Sequence, residues 1–326
     1  MENKRYFKKI LLAASLVAML LFGFWAWGNR WEVYDQWVAR GYVSTTDSSE
    51  VLENLDLTEK GDLVYRASLT EVDGKESFKE RCPVEAYEEA SVLGCYSARR
   101  IYVLKVDEPR LAGVEEVTAA HELLHAKFER MSSDEREETG ELLNDLMDMV
   151  SDKEIKELTD SYKKALGVGE DFNNELFAIY GTQLEDVGEE LEGLYSEYFK
   201  NRKGVVEKYR SYSAEFKRAE DAIKSYDAEL EALRSEKDII EAELQELDRE
   251  LSSEKAALDQ LQFGDSAEEY QRAAAAYNSK VVKFNTKVNR VREIINEYNS
   301  LVEKRNSEAL SAKSLADKLN ANVEER

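Results

Sequence analysis

The sequence predicts a mostly helical protein in three parts: one membrane-spanning helix, a small α+β domain and a long C-terminal helical hairpin. Three observations carry that prediction. An uninterrupted apolar run lies near the N-terminus, the good strand signals are confined to residues 61–106, and residues 203–326 hold apolar side chains at alternating spacings of three and four. Only 2 Pro in 326 residues, with 35% charged residues, suits long solvated helices, since an average chain is about a quarter charged.

The anchor comes first. Residues 1–9 carry Lys4, Arg5, Lys8 and Lys9, and the run from Ile10 to Trp27 is apolar throughout. As a helix that run spans roughly 27 Å, close to the hydrocarbon thickness of a bilayer. Trp25, Trp27 and Trp31 stand at its far end, where an interfacial aromatic belt is expected. The basic tail before the run predicts a cytoplasmic N-terminus, a single span over 10–28, and a cell-membrane protein with the bulk of its chain exported. The alternative is a cleaved signal peptide with Ala26-Trp27-Gly28 as the cleavage site. Either reading places residues 30–326 outside the cytoplasm, where Cys82 and Cys95 are expected to form a disulfide. The net charge of -23 argues against nucleic acid as a partner, because such a surface repels phosphate.

Residues 29–60 read as a juxtamembrane linker with some helix. In the domain expected over 61–202, Asp62–Thr70 (DLVYRASLT) and Arg99–Val106 (RRIYVLKV) are strand signals, rich in β-branched and aromatic residues. Beyond residue 111 the pattern is helical. Ser132 with Glu135, and Ser151 with Glu154, read as capping boxes, and Asp186 with Glu189 is a weaker relative.

Over 203–326 one apolar set comprises Tyr209, Phe216, Ile223, Leu230, Leu244, Leu251 and Leu258. The other is Val205, Tyr212, Ala219, Tyr226, Leu233, Ile240, Leu247 and Leu261, with breaks at Lys237 and Glu254. After the turn signal Phe263-Gly264-Asp265-Ser266 the register resumes with Tyr277, Val281, Phe284, Val288, Val291, Ile295, Tyr298 and Val302. Two heptad arms around a Gly turn predict an antiparallel coiled-coil hairpin, each arm roughly 80–90 Å long. The alternative is a parallel coiled-coil dimer, so self-association or another coiled-coil partner stays open.

The chemistry-bearing pattern is His121-Glu122-Leu123-Leu124-His125, inside the helical stretch VEEVTAAHELLHAKFERM. Positions i and i+4 share a helix face, so both imidazoles reach one metal ion. Zinc favours such neutral nitrogen ligands, and the adjacent Glu122 is placed to act as general base on a zinc-activated water. These are the only 2 His in the chain, so a third ligand is expected to be a carboxylate from a later helix. Glu175 is the chosen residue. It is a lone acid in the apolar segment Phe172–Thr182, where a cation supplies the partner that a buried carboxylate needs. Glu189 and Glu190 are the fallbacks. The plain alternative for Glu175 is an acid favoured near a helix N-terminus.

In the order strand, HELLH helix, then a downstream helix with a Glu, residues 60–200 resemble the minimal core of zincin metallopeptidases, specifically the gluzincin branch. The resemblance implies a strand before the active-site helix that holds extended peptide as a sheet edge, a role that falls on residues 101–106. The chain departs from many gluzincins in having no further His to stabilise an oxyanion, and Tyr180 is the residue expected to replace it, with simple packing as its alternative role. Three functions follow: a membrane-anchored zinc peptidase acting on an extracytoplasmic protein or peptide; a non-catalytic envelope protein whose coiled coil is the working part; and a zinc-stabilised interaction module with a closed four-ligand site. The intact Glu122 favours the first.

Overall fold

The computed structural model describes residues 15–17, 19–26, 28–82, 93–263 and 266–320. The predicted anchor (10–28), the turn at Gly264-Asp265 and most of the loop between the cysteines fall wholly or partly outside them. Among the described residues, no helix is long and apolar enough to cross a membrane. The chain is mostly helical, with one three-stranded sheet and a long C-terminal helix pair. It divides into two units, 1–215 with 315–326, and 216–314.

The first unit opens with α1 (Arg30–Ala39), α2 (Thr46–Asn54) and α3 (Glu59–Ala67). The expected linker is therefore folded structure, with Val51, Leu55 and Leu57 in the main core. The expected strand at Asp62–Thr70 is instead mostly α3. Thr58 caps that helix by accepting from the Gly61 N–H, and Gly61, Val64 and Tyr65 are buried. That spacing is helical, and packing overrides the strand propensity of Val64 and Tyr65. Gly61 has a specific reason to be Gly: a Cβ there would lie 2.3 Å from the Tyr198 carbonyl oxygen.

The sheet comprises β1 (Glu71–Asp73), β2 (Gly94–Ser97) and β3 (Arg100–Leu104), in the order β1-β3-β2. Helix α4 (Lys75–Arg81) joins the first two of these in sequence. Strand β1 runs parallel to β3, and β2 runs antiparallel to it with Cys95 opposite Tyr102. The turn between β2 and β3 has Ala98 and Arg99 at φ 50 and 63, the pattern of a two-residue type I′ hairpin. Strand β3 is buried on both faces. Ile101 and Val103 enter the main core, while Leu104 joins Phe78 and Cys82 on the other side. Cys82 and Cys95 are disulfide-bonded, as expected. Closing a loop of this length stabilises by about 3 kcal/mol in the chain-entropy model.

A 3-10 turn (Pro109–Leu111) leads into α5 (Val114–Arg130), followed by α6 (Ser133–Met149), α7 (Lys153–Leu166), α8 (Glu170–Gln183) and α9 (Glu189–Ser196). The reciprocal capping box of Ser132 and Glu135 starts α6. The box expected at Ser151 is displaced by one residue: Asp152 caps α7, accepting from the Glu154 and Ile155 N–H groups. Asp186 accepts from the Gly188 N–H and leaves Gly188 as the residue before α9. At the centre of the core α5 packs on α8 through Leu123, Leu124, Phe128, Leu176 and Phe177, all buried. Each such side chain contributes about 1.5–3 kcal/mol by burial.

The long helices are α10 (Arg202–Leu261) and α11 (Ala267–Lys318). The expected boundary at 203 moves to 216, because the first turns of α10 belong to the globular core through Val205, Tyr209 and Tyr212. Arg202 donates to the Gly181, Leu184 and Glu185 carbonyls and to Glu192. It thereby satisfies the C-terminal carbonyls of α8. In the second unit the helices pair antiparallel within the chain. Arg290 meets Glu236, Lys287 meets Glu243, Lys280 meets Glu250 and Glu254, and Arg305 meets Asp227. Glu254, a predicted break, thus has a partner across the hairpin. One register position differs from expectation: Ile294 is buried and Ile295 is 44% exposed. Inward positions Val291 and Ile294 follow Val288 at successive spacings of three, which locally overwinds a heptad pattern.

Candidate metal centre

Helix α5 starts at Gly113, whose φ of +95 suits Gly alone and whose Cβ would meet the Lys208 side chain at 2.8 Å. The helix that follows is buried on most sides, with Ala119, Ala120, Leu123, Leu124 and Ala126 fully covered. His121 and His125 stand one turn apart on its one partly open face. Their rings meet edge to face, 4.8 Å between centroids. The sequence period alone dictates this pairing; what it faces is decided by packing.

It faces α8. Glu175 Oε2 lies 3.7 Å from His121 Nε2, and Glu175 Oε1 lies 3.6 Å from His125 Nε2. The ligand atoms of the three residues all fall within 4.8 Å of one another. Both separations exceed a hydrogen bond. The edge of a tetrahedron built on zinc bonds of 2.0–2.2 Å is about 3.3–3.6 Å; the His125 separation reaches its upper end and the His121 separation lies just beyond it. Burial raises the carboxyl pKa of Glu175, and the His125 and His121 imidazoles, when protonated, outweigh it and hold it below the ordinary value.

A fourth residue gives this geometry its sign. The Asn174 side-chain oxygen lies 3.0 Å from His125 Nδ1. An amide oxygen only accepts, so this contact places a proton on Nδ1, and in the neutral imidazole Nε2 turns a lone pair toward Glu175. Two acceptors then face each other across 3.6 Å, an arrangement that a cation between them satisfies. Two imidazole nitrogens and one carboxylate, with solvent access at His121 and Glu175, make a donor set that could hold a metal ion.

Glu122 is buried beside these ligands, its carboxylate lodged against β2. A Cβ on Gly94 would lie 2.8 Å from Glu122 Oε1 and 2.5 Å from the Thr118 methyl. The glycine therefore makes the notch in which Glu122 sits. Strand β2 is also where an expectation needs correction. The resemblance to zincins puts the sheet edge on residues 101–106, yet β3 is the central strand, paired on both sides. Among the described residues the edge beside α5 is β2. The Leu104 N–H donates to the Leu93 carbonyl. By antiparallel alternation, the main-chain groups of Gly94 and Tyr96 then point away from β3.

The structure brings together His121, His125 and Glu175; Glu122, next to His121 in sequence, lies against Gly94 of β2. Glu189 and Glu190 stay outside the cluster, exposed in the first turn of α9. Tyr180 is not brought to it either. Five residues beyond Glu175, it is rotated about 140° around α8. It is fully buried, with its hydroxyl lacking a hydrogen-bond partner. Burial, reinforced by Asp148 and Asp160, pushes its pKa up to about 12. Asn174 and Gly94 were missed from sequence. Asn174 carried a faint signal as an amide next to the candidate ligand, whereas Gly94 carried none without its strand. No family model matches the chain, and neither a curated protein nor a solved structure matches it.

Proposed function

We propose that the chain is a membrane-anchored zinc metallopeptidase that hydrolyses extracytoplasmic peptide or protein. The observation that carries this reading is the cluster of two imidazole nitrogens and one carboxylate whose ligand atoms all lie within 4.8 Å of one another, with the Asn174 oxygen at His125 Nδ1. His121, His125 and Glu175 would hold the zinc, which when bound supplies Lewis acidity toward a peptide carbonyl and water. Glu122 accepts the proton of the attacking water at its carboxylate and returns it to the leaving amine nitrogen. The outward main-chain groups of Gly94 and Tyr96 pair with an extended peptide, adding it to the sheet as a further strand. That lays the peptide alongside Glu122. The exposed apolar residues Leu16, Leu20, Phe24 and Trp25 sit in the bilayer as part of the anchor.

The test is bound zinc measured by elemental analysis on the full chain in detergent. About one zinc per chain is expected for wild type and for Glu122→Gln, with loss in His121→Ala and weakening in Glu175→Ala. Turnover of a fluorogenic peptide library is expected only in wild type. A folded wild type that takes up no zinc when loaded refutes the peptidase and leaves the anchored coiled-coil protein as the better account.

A further inference from the structure

Helix α1 holds both halves of the proposed site to the segment that precedes it. The Arg130 guanidinium, at the end of α5, donates to both carboxylate oxygens of Asp35 at 2.7 and 2.9 Å. Both side chains are buried. The same guanidinium donates to the Ala126 carbonyl, next to His125, and packs over the Trp31 ring at 5.1 Å. Arg99, in the turn that closes β2 onto β3, packs over Trp31 and Tyr34 and pairs with Glu129 of α5. The metal-bearing helix and the hairpin carrying the edge strand therefore converge on Trp31, Tyr34 and Asp35.

On its other side α1 continues the preceding segment. Residues 19–26 are helical. The Asn29 N–H donates to the Trp25 carbonyl and the Val33 N–H to the Asn29 carbonyl, so i to i−4 bonds flank Asn29 on both sides, while its own backbone, at φ -108 and ψ 27, is non-helical. Val33 and Trp37, one turn apart, stay exposed on the face of α1 turned away from Asp35.

We propose that α1 is a rigid strut that fixes the site at a short height above the bilayer, so that its substrates are chain segments emerging from a membrane. This rests on the anchored-peptidase reading. From Gly28, the end of the expected span, to Asp35 a helix rises about 11 Å. From Arg130 back to His121 it rises about 14 Å. With the two side chains between them, the site lies no more than about 35 Å from the surface, which about ten extended residues span.

The full chain carrying Ser133→Cys, at an exposed position three residues past Arg130, is labelled with a donor dye. Cys82 and Cys95 are bonded to each other and stay unlabelled. The protein is reconstituted into phosphatidylcholine–phosphatidylglycerol vesicles containing a headgroup-labelled acceptor lipid. Strong energy transfer is expected, falling at least twofold in Asp35→Ala. A four-glycine insertion after Asn29 leaves the Asp35–Arg130 pair intact and is expected to lower transfer equally. Weak transfer from a chain that floats with the vesicles overturns the strut, as does transfer unchanged in both variants. A chain that does not float refutes the anchor and the strut with it. Strong transfer from protein that binds no zinc refutes the peptidase reading and the substrate class, and keeps the strut.

Discussion

Replacing Asn174 with Ala removes a single contact, the 3.0 Å bond to His125 Nδ1, and leaves all three proposed ligands in place. Without that acceptor the imidazole is free to rotate and to place its proton on Nε2, where it blocks a metal. Loss of a partner of this kind typically lowers metal affinity about 10–100-fold, equivalent to about 1.4–2.7 kcal/mol. Asn174 is only partly buried, so the metal-free fold is expected to change by less than about 1 kcal/mol. Competition against a chromogenic zinc chelator reads the affinity, and urea unfolding of metal-free protein reads the fold. Asn174→Asp supplies the same acceptor and is expected to recover most of the affinity. The reasoning is refuted by wild-type affinity in Asn174→Ala, or by an Asp variant as weak as the Ala variant.

Three further outcomes are expected. Tyr180→Phe removes a buried hydroxyl with no hydrogen-bond partner, so its stability in urea unfolding is expected to stay within about 1 kcal/mol of wild type or rise, with zinc affinity unchanged. Gly94→Ala pushes a methyl group into Glu122 and the Thr118 methyl. Overpacking of that kind costs about 1–3 kcal/mol; under the proposed peptidase reading, displacing Glu122 by about 1 Å is expected to lower kcat roughly 100-fold, with bound zinc by elemental analysis matching wild type. Glu135 is held below its ordinary pKa by the backbone and hydroxyl of Ser132. Its contribution to stability is therefore present above the unfolded value of 4.5 and is lost as pH falls through the lowered folded value. Glu135→Ala is expected to cost about 0.5–1 kcal/mol at pH 7 and less at pH 3 by urea unfolding.

Local rules made much of the protein legible. The i, i+4 spacing of His121 and His125 fixes two imidazoles on one helix face in any fold that makes 114–130 a helix. The capping box at Ser132 is equally local, and the heptad spacing of α10 reads directly as one inward stripe. The hairpin's direction was legible too, through the Gly turn between its arms; the ion pairs from Asp227–Arg305 to Glu254–Lys280 now tie those arms together. Glu175 was the least local of these readings, since it rested on an acid isolated among apolar neighbours; the structure sets it against both histidines.

What the sequence left undecided depended on contacts between distant residues. Strand propensity at Val64 and Tyr65 lost to the helical face that packs in the core. The edge position passed from β3 to β2 because β1 pairs with the other side of β3, and no property of RRIYVLKV encodes its neighbours. Tyr180 was separated from Glu175 by the turn of α8, while Asn174, with no pattern to mark it, was brought to His125. The linker became structure through Asp35, whose partner Arg130 lies 95 residues away. The sequence by itself determined which side chains share a helix face, because that follows from a rise and a period. Only the tertiary structure decided which faces meet, because burial and pairing are settled among all the elements at once.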